Sequence, residues 1–408
     1  MDTNPPSELV PLDQSPLKRG LPFIFITMFL DIMGSTLLLP ILPYIVRQYN
    51  LNALTVGLLT AAYSAAAFLA APALGKLSDR FGRRPVLLFS VLGSAIGYIL
   101  FGIGGALWVL FLSRIIDGFT GGNIATAMAY IADVTQPNER AKYFAFGGIA
   151  FGLGFIFGPI IAGVLSNISI AAPAFAAGAL SFASFLFGFF FLPESLPPEK
   201  RSQEALHLSQ VNPFSILTEI SRLPNLRLLL SAIFLIYLAY SGIFNYITVY
   251  TLDRFSAPPQ DNSYLFLVVG ISQMIGQGVI VYRLTPHFGE KRVAISGLIL
   301  QALAYPLFVL VPVFGLLYPL AILSALGNAF TRPTLDALVA NNVPPHEQGR
   351  AQGTTSGLYS LTNILGPLLA GFAFVFISPA SVFVGGGLLL ALAGIIVWRI
   401  KDVQRVAS

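Results

Sequence analysis

The sequence contains no cysteine and few charged side chains, and these absences narrow its chemistry. Without cysteine, the 408-residue chain has no disulfide, no thiolate metal ligand and no cysteine nucleophile. Only 10% of its residues are charged, which is far below the share found in soluble domains. The nucleotide-binding pattern G-x-x-x-x-G-K-[ST] is also missing, so the sequence predicts no ATP-driven motor.

Apolar residues dominate the composition. They make up 55% of the chain, with 34 phenylalanines, and they fall in runs of about 20 residues. Runs of that length predict membrane-spanning helices, because a strand of a membrane barrel needs only about ten residues of alternating character. The sequence therefore predicts an all-α integral membrane protein embedded in a lipid bilayer.

Turn residues and charges divide the apolar runs into twelve predicted spans. Six lie in each half of the chain, and a polar segment separates the halves. The predicted spans are 21–46, 54–74, 86–104, 106–131, 143–166, 173–192, 226–250, 263–283, 293–312, 316–340, 352–377 and 380–399.

Proline and polar residues mark the segments outside the two predicted bundles. Within the central linker, residues 213–222 have the pattern of a short amphipathic helix on the membrane surface. The predicted organisation is a disordered cytoplasmic tail at 1–18, an N-terminal six-helix bundle at 19–192, a cytoplasmic linker at 193–224, a C-terminal six-helix bundle at 225–400 and a cytoplasmic tail at 401–408.

Lysine and arginine are distributed unequally between the two sides of the predicted bundle. Nearly all of the 23 Lys and Arg residues fall on the side of the termini, whereas Arg47 and Arg254 fall on the other. Since cytoplasmic loops carry an excess of these residues, both termini are predicted to be cytoplasmic. The three histidines, His207, His287 and His346, fall in cytoplasmic segments as well.

Matching sequence segments indicate that the two halves are copies of one duplicated unit. The segment RLTPHFGEKR at 283–292 echoes KLSDRFGRRP at 76–85 and aligns Gly289 with Gly82, although a proline replaces the aspartate in the second copy. Duplicated bundles predict a binding site between them and alternating access to the two sides of the membrane.

The stretch GKLSDRFGRRP at 75–85 is predicted to form a tight cytoplasmic loop between the second and third spans. Its pattern G-x-L-x-D-R-x-G-R-R resembles the signature of the major facilitator superfamily. That resemblance implies a 12-helix transporter fold of two pseudo-symmetric bundles. It also implies a conformational latch that stabilises an outward-open state, with Asp79 facing the N-terminal dipole of helix 11. The implied latch residues are Gly75, Asp79, Gly82, Arg83, Arg84 and Asp133.

Three ionisable residues fall deep within spans of the first half. An ionised side chain in hydrocarbon costs roughly 2.5 to 3.5 kcal/mol, so each is a candidate for function. Asp31, near the middle of the first span, is the first choice for a proton or cation site. The alternative is that its carboxyl group only packs against the helix 1 backbone or a neighbouring helix. Arg114 and Asp117, three apart on the fourth span, face the same way. The family resemblance ties such an arginine to proton coupling. The sequence leaves open whether Arg114 pairs with Asp117 or with Asp31.

The second half offers one charged pair and several amides. Arg332 and Asp336 are four residues apart on the tenth span, and we predict that they form a structural pair near the cytoplasmic gate, with a substrate site as the alternative. Amide side chains are candidates for a substrate cavity that also includes Asp31, although polar packing between helices would explain them too. These amides are Gln273, Gln277, Gln301 and Asn328.

The fifth span is rich in glycine. Small residues let helices approach closely, and a proline bends a helix. Its run G-x-x-x-G-P-x-x-A-G resembles the helix 5 signature of facilitator antiporters and departs from it only at Ala162. The motif positions are Gly154, Gly158, Pro159 and Gly163.

The resemblance extends over nearly the whole chain and is closest to the drug:proton antiporter branch. The segments LDIMG at 30–34 and SLTNILGPLLAG at 360–371 are similar to those of its tetracycline-efflux group. Pumps of that group carry charged or histidine side chains for a metal-chelated drug where this chain has Gly97, Gln273 and Gln301. We therefore expect that a magnesium-chelated tetracycline is not its main substrate.

Together these features predict a multi-pass efflux pump of the cell inner membrane, of the drug-resistance type. It would export amphipathic small molecules in exchange for protons; the alternative is a proton-coupled uptake symporter. A membrane enzyme is not predicted, because the spans contain neither cysteine nor histidine. The expected partners are the bilayer, protons and a small-molecule substrate. No cofactor, nucleic acid or obligatory protein partner is expected, since the proton gradient supplies the energy.

Overall fold

The computed structural model describes residues 20–121, 123–203, 226–344 and 347–400. All regular secondary structure in these ranges is helical. The predicted tails at 1–18 and 401–408, the predicted surface helix at 213–222, and His207 and His346 lie outside them.

The first half of the chain consists of long helices joined by short connections. A short 3-10 turn, Pro198–Lys200, follows the last of them. The helices are α1 Leu21–Leu37, α2 Leu42–Gln48, α3 Ala53–Phe81, α4 Arg83–Ile103, α5 Leu107–Thr120, α6 Asn123–Val134, α7 Arg140–Leu165 and α8 Ala172–Phe191.

The second half has the same character. A π-helical turn, Gly276–Val281, interrupts one of its spans, and a 3-10 turn, Phe314–Leu316, precedes another. The helices are α9 Arg227–Phe255, α10 Pro259–Ile275, α11 Tyr282–Phe288, α12 Glu290–Leu310, α13 Leu317–Asn341, α14 Gln348–Phe376 and α15 Pro379–Arg399.

The helices match the predicted membrane spans closely. The described residues contain 10 helices long and apolar enough to cross a membrane, or 11 if α1 and α2, bent by 43° relative to each other, form one span. The remaining predicted span, 106–131, coincides with α5 and α6, which have 14 and 12 residues and flank position 122. The all-α membrane architecture is confirmed, and twelve spans are consistent with it.

The helix packing repeats between the halves. In the first half α1 packs on α7 and α8, and in the second half α9 packs on α14 and α15. Likewise α4 packs on α5 and α8, while α12 packs on α13 and α15. The duplication inferred from the two glycine turns therefore extends to the whole set of helix contacts.

The structure corrects the predicted loop at 75–85. Helix α3 continues to Phe81 and α4 begins at Arg83, so Gly82 alone makes the turn. Its φ of 107° is a conformation that glycine adopts without the steric cost of a Cβ. Gly289, with φ of 79°, makes the same turn between α11 and α12. The prediction ended the helix too early because polar side chains end an apolar run without breaking helical hydrogen bonds.

The two halves meet mainly through two helix pairs, α3 with α14 and α7 with α10, and α9 makes smaller contacts with α2 and α3. We call the membrane face that carries Gly82 and Gly289 the motif face, and the face that carries Arg47 and Asp253 the opposite face. Near the opposite face, Gly57 of α3 lies so close to the carbonyl group of Pro367 that no side chain would fit. The helices approach each other there as closely as backbones allow.

Hydrogen bonds join the halves at the opposite face. Tyr246 Oη donates to the carbonyl oxygen of Ala53 at 2.9 Å. Tyr44 Oη donates to the carbonyl oxygen of Ala257 and accepts a hydrogen bond from Asn262 Nδ2 at 2.9 Å. The halves are therefore closed against each other on this side of the molecule.

Candidate functional site

Towards the motif face the halves separate and enclose a cavity of about 450 Å³. The first half contributes small or apolar residues to its wall, among them Ala71, Gly121 and Ala125. The second half contributes polar and charged residues from α9, α13 and α14, including the predicted gate pair Arg332 and Asp336. The volume is within the range of small-molecule sites, which is about 300 to 1,000 Å³.

A buried ion pair lies in the first half, on α5. Arg114 Nη1 is 3.2 Å from Asp117 Oδ2, and the two residues are only 7% and 2% exposed. The structure thus joins the two residues that their spacing placed on one helix face. The guanidinium group lies over aromatic rings, with its carbon 4.6 Å from the ring centre of Phe101 and 5.7 Å from that of Tyr98. Both contacts favour the positive charge.

A glycine on α4 makes room for this pair. A Cβ at Gly97 would lie 2.8 Å from the Cβ of Asp117 and 3.0 Å from the carbonyl oxygen of Ser113. Gly97 therefore acts as a spacer: its missing side chain lets the acid of α5 lie against α4.

Arg114 keeps unused hydrogen-bonding capacity. Among the described residues, neither its Nε nor its Nη2 has a hydrogen-bond partner, although both are buried. A buried donor without a partner costs about 1 to 3 kcal/mol, and more when it is charged. The side chain can therefore hold a second anionic group without giving up its contact to Asp117.

Asp31 lies on α1 and is half-buried. Its carboxyl group is close enough to Tyr63 and Tyr98 to interact electrostatically with both hydroxyls. Because Arg114 lies over these same two rings, Asp31 and the ion pair share one aromatic surround. The three ionisable residues predicted for the first half are thus neighbours.

The predicted antiporter motif packs directly behind Asp31. A Cβ at Gly154 of α7 would lie 2.7 Å from the carbonyl oxygen of Phe29, and Gly158 lies against Thr36 with equally little space. Pro159 is inside the same helix. Gly163 faces the other half instead, because its Cβ would lie 2.8 Å from Ser263 of α10. The motif therefore fixes α1 on one side and contacts the second half on the other.

The predicted latch residues surround the Gly82 turn. Arg83 pairs with Asp79 at 2.5 Å and with Asp133 at 3.1 Å. Arg84 donates to the carbonyl oxygen of Phe189 at 2.6 Å. Around Gly75 there is open space for a side chain. Within the described ranges, the Asp79 carboxylate has no hydrogen bond or ion pair with the second half.

Sequence reasoning missed three residues of this cluster, which follow α8. The Glu194 carboxylate accepts hydrogen bonds from the backbone N–H groups of Arg83 and Arg84 at 2.8 and 3.2 Å, and so caps the first turn of α4. Ser195 donates to Asp133 at 3.1 Å, and Arg201 is 4.0 Å from Glu194. The one available signal was an acid directly after the sixth span.

The predicted amides of the second half occupy different surroundings. Gln273 donates to Tyr240 at 3.4 Å and lines a small apolar cavity of about 50 Å³ within that half. Gln301 is fully buried between α12 and α13, where it donates to Thr331 Oγ1 at 3.2 Å. Gln277 is exposed on the π-helical turn, and Asn328 is half-buried on α13. The structure therefore does not gather the four amides at one place.

Metal-ligating side chains are not clustered in the part of the chain that the structure describes: it holds no group of three or more His, Asp or Glu side chains suited to a metal ion.

Comparison with known proteins gives consistent matches over the whole chain. The family model of the Major Facilitator Superfamily matches residues 24–286 and 254–407. The "Tetracycline resistance protein, class C" of Escherichia coli is 36% identical over 346 residues, which cover 84% of this chain and 86% of that protein. "Multidrug resistance protein 2" of Bacillus subtilis is 29% identical and covers 91% and 93% of the two chains. The crystal structure of the human organic anion transporter MFSD10 (TETRAN) superposes with a TM-score of 0.70 at 27% identity, covering 94% of this chain and 99% of that one.

Proposed function

Because the chain belongs to the major facilitator superfamily of membrane transporters, we propose that it exports amphipathic small molecules in exchange for protons. The tetracycline and multidrug resistance proteins among its relatives favour export over uptake. A transporter of this superfamily is not an enzyme, and its substrate leaves the protein chemically unchanged.

The observation that carries the proposal is the buried ion pair of α5 beside Asp31. An arginine does not lose its proton in a protein, so the pair changes charge only when a carboxyl group binds or releases one. Protonation of Asp117 removes the salt bridge and leaves Arg114, with its unused donors, to interact with Asp31. The proton then determines which carboxylate the arginine holds.

The arrangement of the halves supports alternating access. They are closed against each other at the opposite face and separated towards the motif face. Because most Lys and Arg residues lie on the motif side, we assign that side to the cytoplasm, with both termini there and the protein in the cell inner membrane. Rocking of one half on the other would open the opposite face and close the cavity.

The energy available fits this mechanism. A proton moving down a membrane potential of 100 mV releases about 2.3 kcal/mol, which supports a useful gradient of substrate without ATP.

Substrate-driven proton release tests the proposal. In energised inside-out vesicles, a dye reports acidification while lipophilic cations, aromatic acids, neutral drugs and tetracycline are added in turn. We expect at least one class to draw protons out of wild-type vesicles and none to do so with Asp31→Asn or Asp117→Asn. Glu199→Gln, an exposed acid outside the spans, is the matched control and should behave as wild type.

Two outcomes would contradict the proposal. Proton release that is equal in wild type and both aspartate variants would remove these acids from the coupling. Acidification that increases when substrate is added would indicate uptake with protons instead of exchange.

A further inference from the structure

The cavity between the halves contains two opposite charges that make no direct contact with each other. Among the described residues that line it, Arg332 is the only cation and Asp336 the only anion, and both project from α13. They are four residues apart with the cation first, which is the less favourable order for a pair on one helix. Arg332 and Asp336 both belong to the described part of the chain, and they form no ion pair within 4 Å. The direct pair predicted from their spacing is therefore not present.

Arg332 has a different set of neighbours. Its guanidinium carbon is 5.5 Å from the ring centre of Tyr359, and Tyr237 lines the same cavity. These aromatic neighbours supply no negative charge. Since arginine stays protonated at all accessible pH values, Arg332 is a permanent positive charge in the cavity. Asp336 acts on it electrostatically, but no described acid forms an ion pair with it within 4 Å.

The rest of the wall is suited to an aromatic ring. Opposite Arg332, the described lining residues of the first half are small or apolar, such as Ala71, Gly121 and Ala125. On the side of Arg332, the hydroxyl of Ser356 and the ring of Tyr359 extend from α14 into the same space. One wall therefore gives an apolar surface and the other gives a cation with hydrogen-bonding groups.

We propose that Arg332 binds the carboxylate of an aromatic organic acid, whose ring lies against the small-residue wall of the first half. The inference rests on the proposed transport function and names its substrate class. The planar guanidinium fits a carboxylate through two parallel hydrogen bonds. Asp336 lies one turn nearer the motif face, where it repels the same carboxylate. The two residues should thus have opposite effects on binding.

The natural absence of cysteine gives a direct test that needs no transport. Ser356→Cys introduces the only thiol of the chain into the cavity wall. In purified protein, its rate of modification is measured with an anionic sulfonatoethyl and a cationic trimethylammonioethyl methanethiosulfonate. The ratio of the anionic to the cationic rate should fall about threefold or more in Arg332→Gln and rise in Asp336→Asn. Arg399→Gln, a cation at the end of α15 outside the cavity lining, is the matched control and should leave the ratio unchanged.

Protection by a ligand completes the test. The probes are 2-naphthoate and its uncharged analogue 2-naphthamide, each at millimolar concentration. Naphthoate should slow the labelling of Ser356→Cys, naphthamide should not, and Arg332→Gln should abolish the difference while Arg332→Lys keeps part of it. Equal protection by both probes, no protection by naphthoate, or an unchanged labelling ratio in Arg332→Gln would each overturn the proposal.

The test is separable from that of the proposed function. If naphthoate binds through Arg332 but drives no proton release in vesicles, the binding site is supported and antiport of the acid is contradicted. Proton release driven only by cations or neutral drugs, with no binding of naphthoate, would leave antiport standing and overturn the assignment of Arg332.

Discussion

The α4–α5 crossing of the first half and the α12–α13 crossing of the second half pack alike but differ in charge. In the first, Gly97 lies against Asp117, which is salt-bridged to Arg114. In the second, Gly327 lies against Gln301, whose amide donates to a threonine hydroxyl. Each crossing joins a glycine on one helix to a polar side chain on the other, and only the first carries charge.

The difference separates packing from function. The neutral crossing is the most extensive helix contact among the described elements, so close packing here does not require a charged pair. Each charge in the first half costs roughly 2.5 to 3.5 kcal/mol in hydrocarbon. We infer that the charged crossing of the first half serves proton coupling, whereas the neutral crossing of the second half serves packing.

The largest effect should come from breaking the ion pair. Arg114→Gln leaves the carboxylate of Asp117 buried without its partner, which should destabilise the protein by about 3 to 5 kcal/mol. The measurement is the midpoint of thermal unfolding of detergent-solubilised protein. The double variant Arg114→Gln, Asp117→Asn should recover most of the stability and remain inactive in proton exchange. If Arg114→Gln is as stable as the wild type, the charges of this pair do not contribute to the stability of the protein.

A smaller effect should come from adding a methyl group to each crossing. Gly97→Ala and Gly327→Ala each insert a Cβ into a space below 3 Å, which should cost about 1 to 3 kcal/mol through overpacking. If the crossings differ as proposed, only Gly97→Ala also reduces substrate-driven proton release, because it displaces Asp117. Gly385→Ala, in open space on α15, is the matched control. Equal loss of proton release in both variants would contradict the inference that only the α4–α5 crossing serves proton coupling.

The smallest effect should appear at the glycine turns. Glu194→Gln removes the charge that caps α4, and for this partly exposed group we expect a loss of about 1 kcal/mol in the free energy of unfolding. The α11–α12 turn shows how a glycine turn forms without such a cluster, since Gly289 has open space around it. Glu199→Gln should change stability by less than about 0.5 kcal/mol. A loss in Glu199→Gln as large as that in Glu194→Gln would argue against the cap.

Much of this arrangement could be predicted from local sequence. The spacing of Arg114 and Asp117 placed them on one helix face, and the structure joins them. The matching glycines at 82 and 289 indicated a duplicated unit, and both make the same turn. These predictions succeeded because they depend on helix periodicity and on the steric freedom of glycine, which act over a few residues.

Other features depend on contacts between distant segments. The spacing of Arg332 and Asp336 predicted a pair in the same way, yet Arg332 lies near the ring of Tyr359 on α14 and forms no ion pair with Asp336 within 4 Å. Gln301 was a candidate for a cavity or for polar packing between helices, and it lies buried between α12 and α13, where it donates to Thr331. Glu194 reaches the start of α4 from beyond α8. Periodicity gives the face on which a residue lies and leaves the neighbour of that face undetermined.

The closure at the opposite face has a consequence for ionic strength. Tyrosine hydroxyls, amide groups and backbone carbonyls hold it together, and its ion pair, Arg47 with Asp253, is exposed and 3.9 Å long. Exposed pairs contribute little and are screened by salt, whereas neutral hydrogen bonds are not. The strength of the closure at this face should therefore be nearly the same in dilute and in concentrated salt.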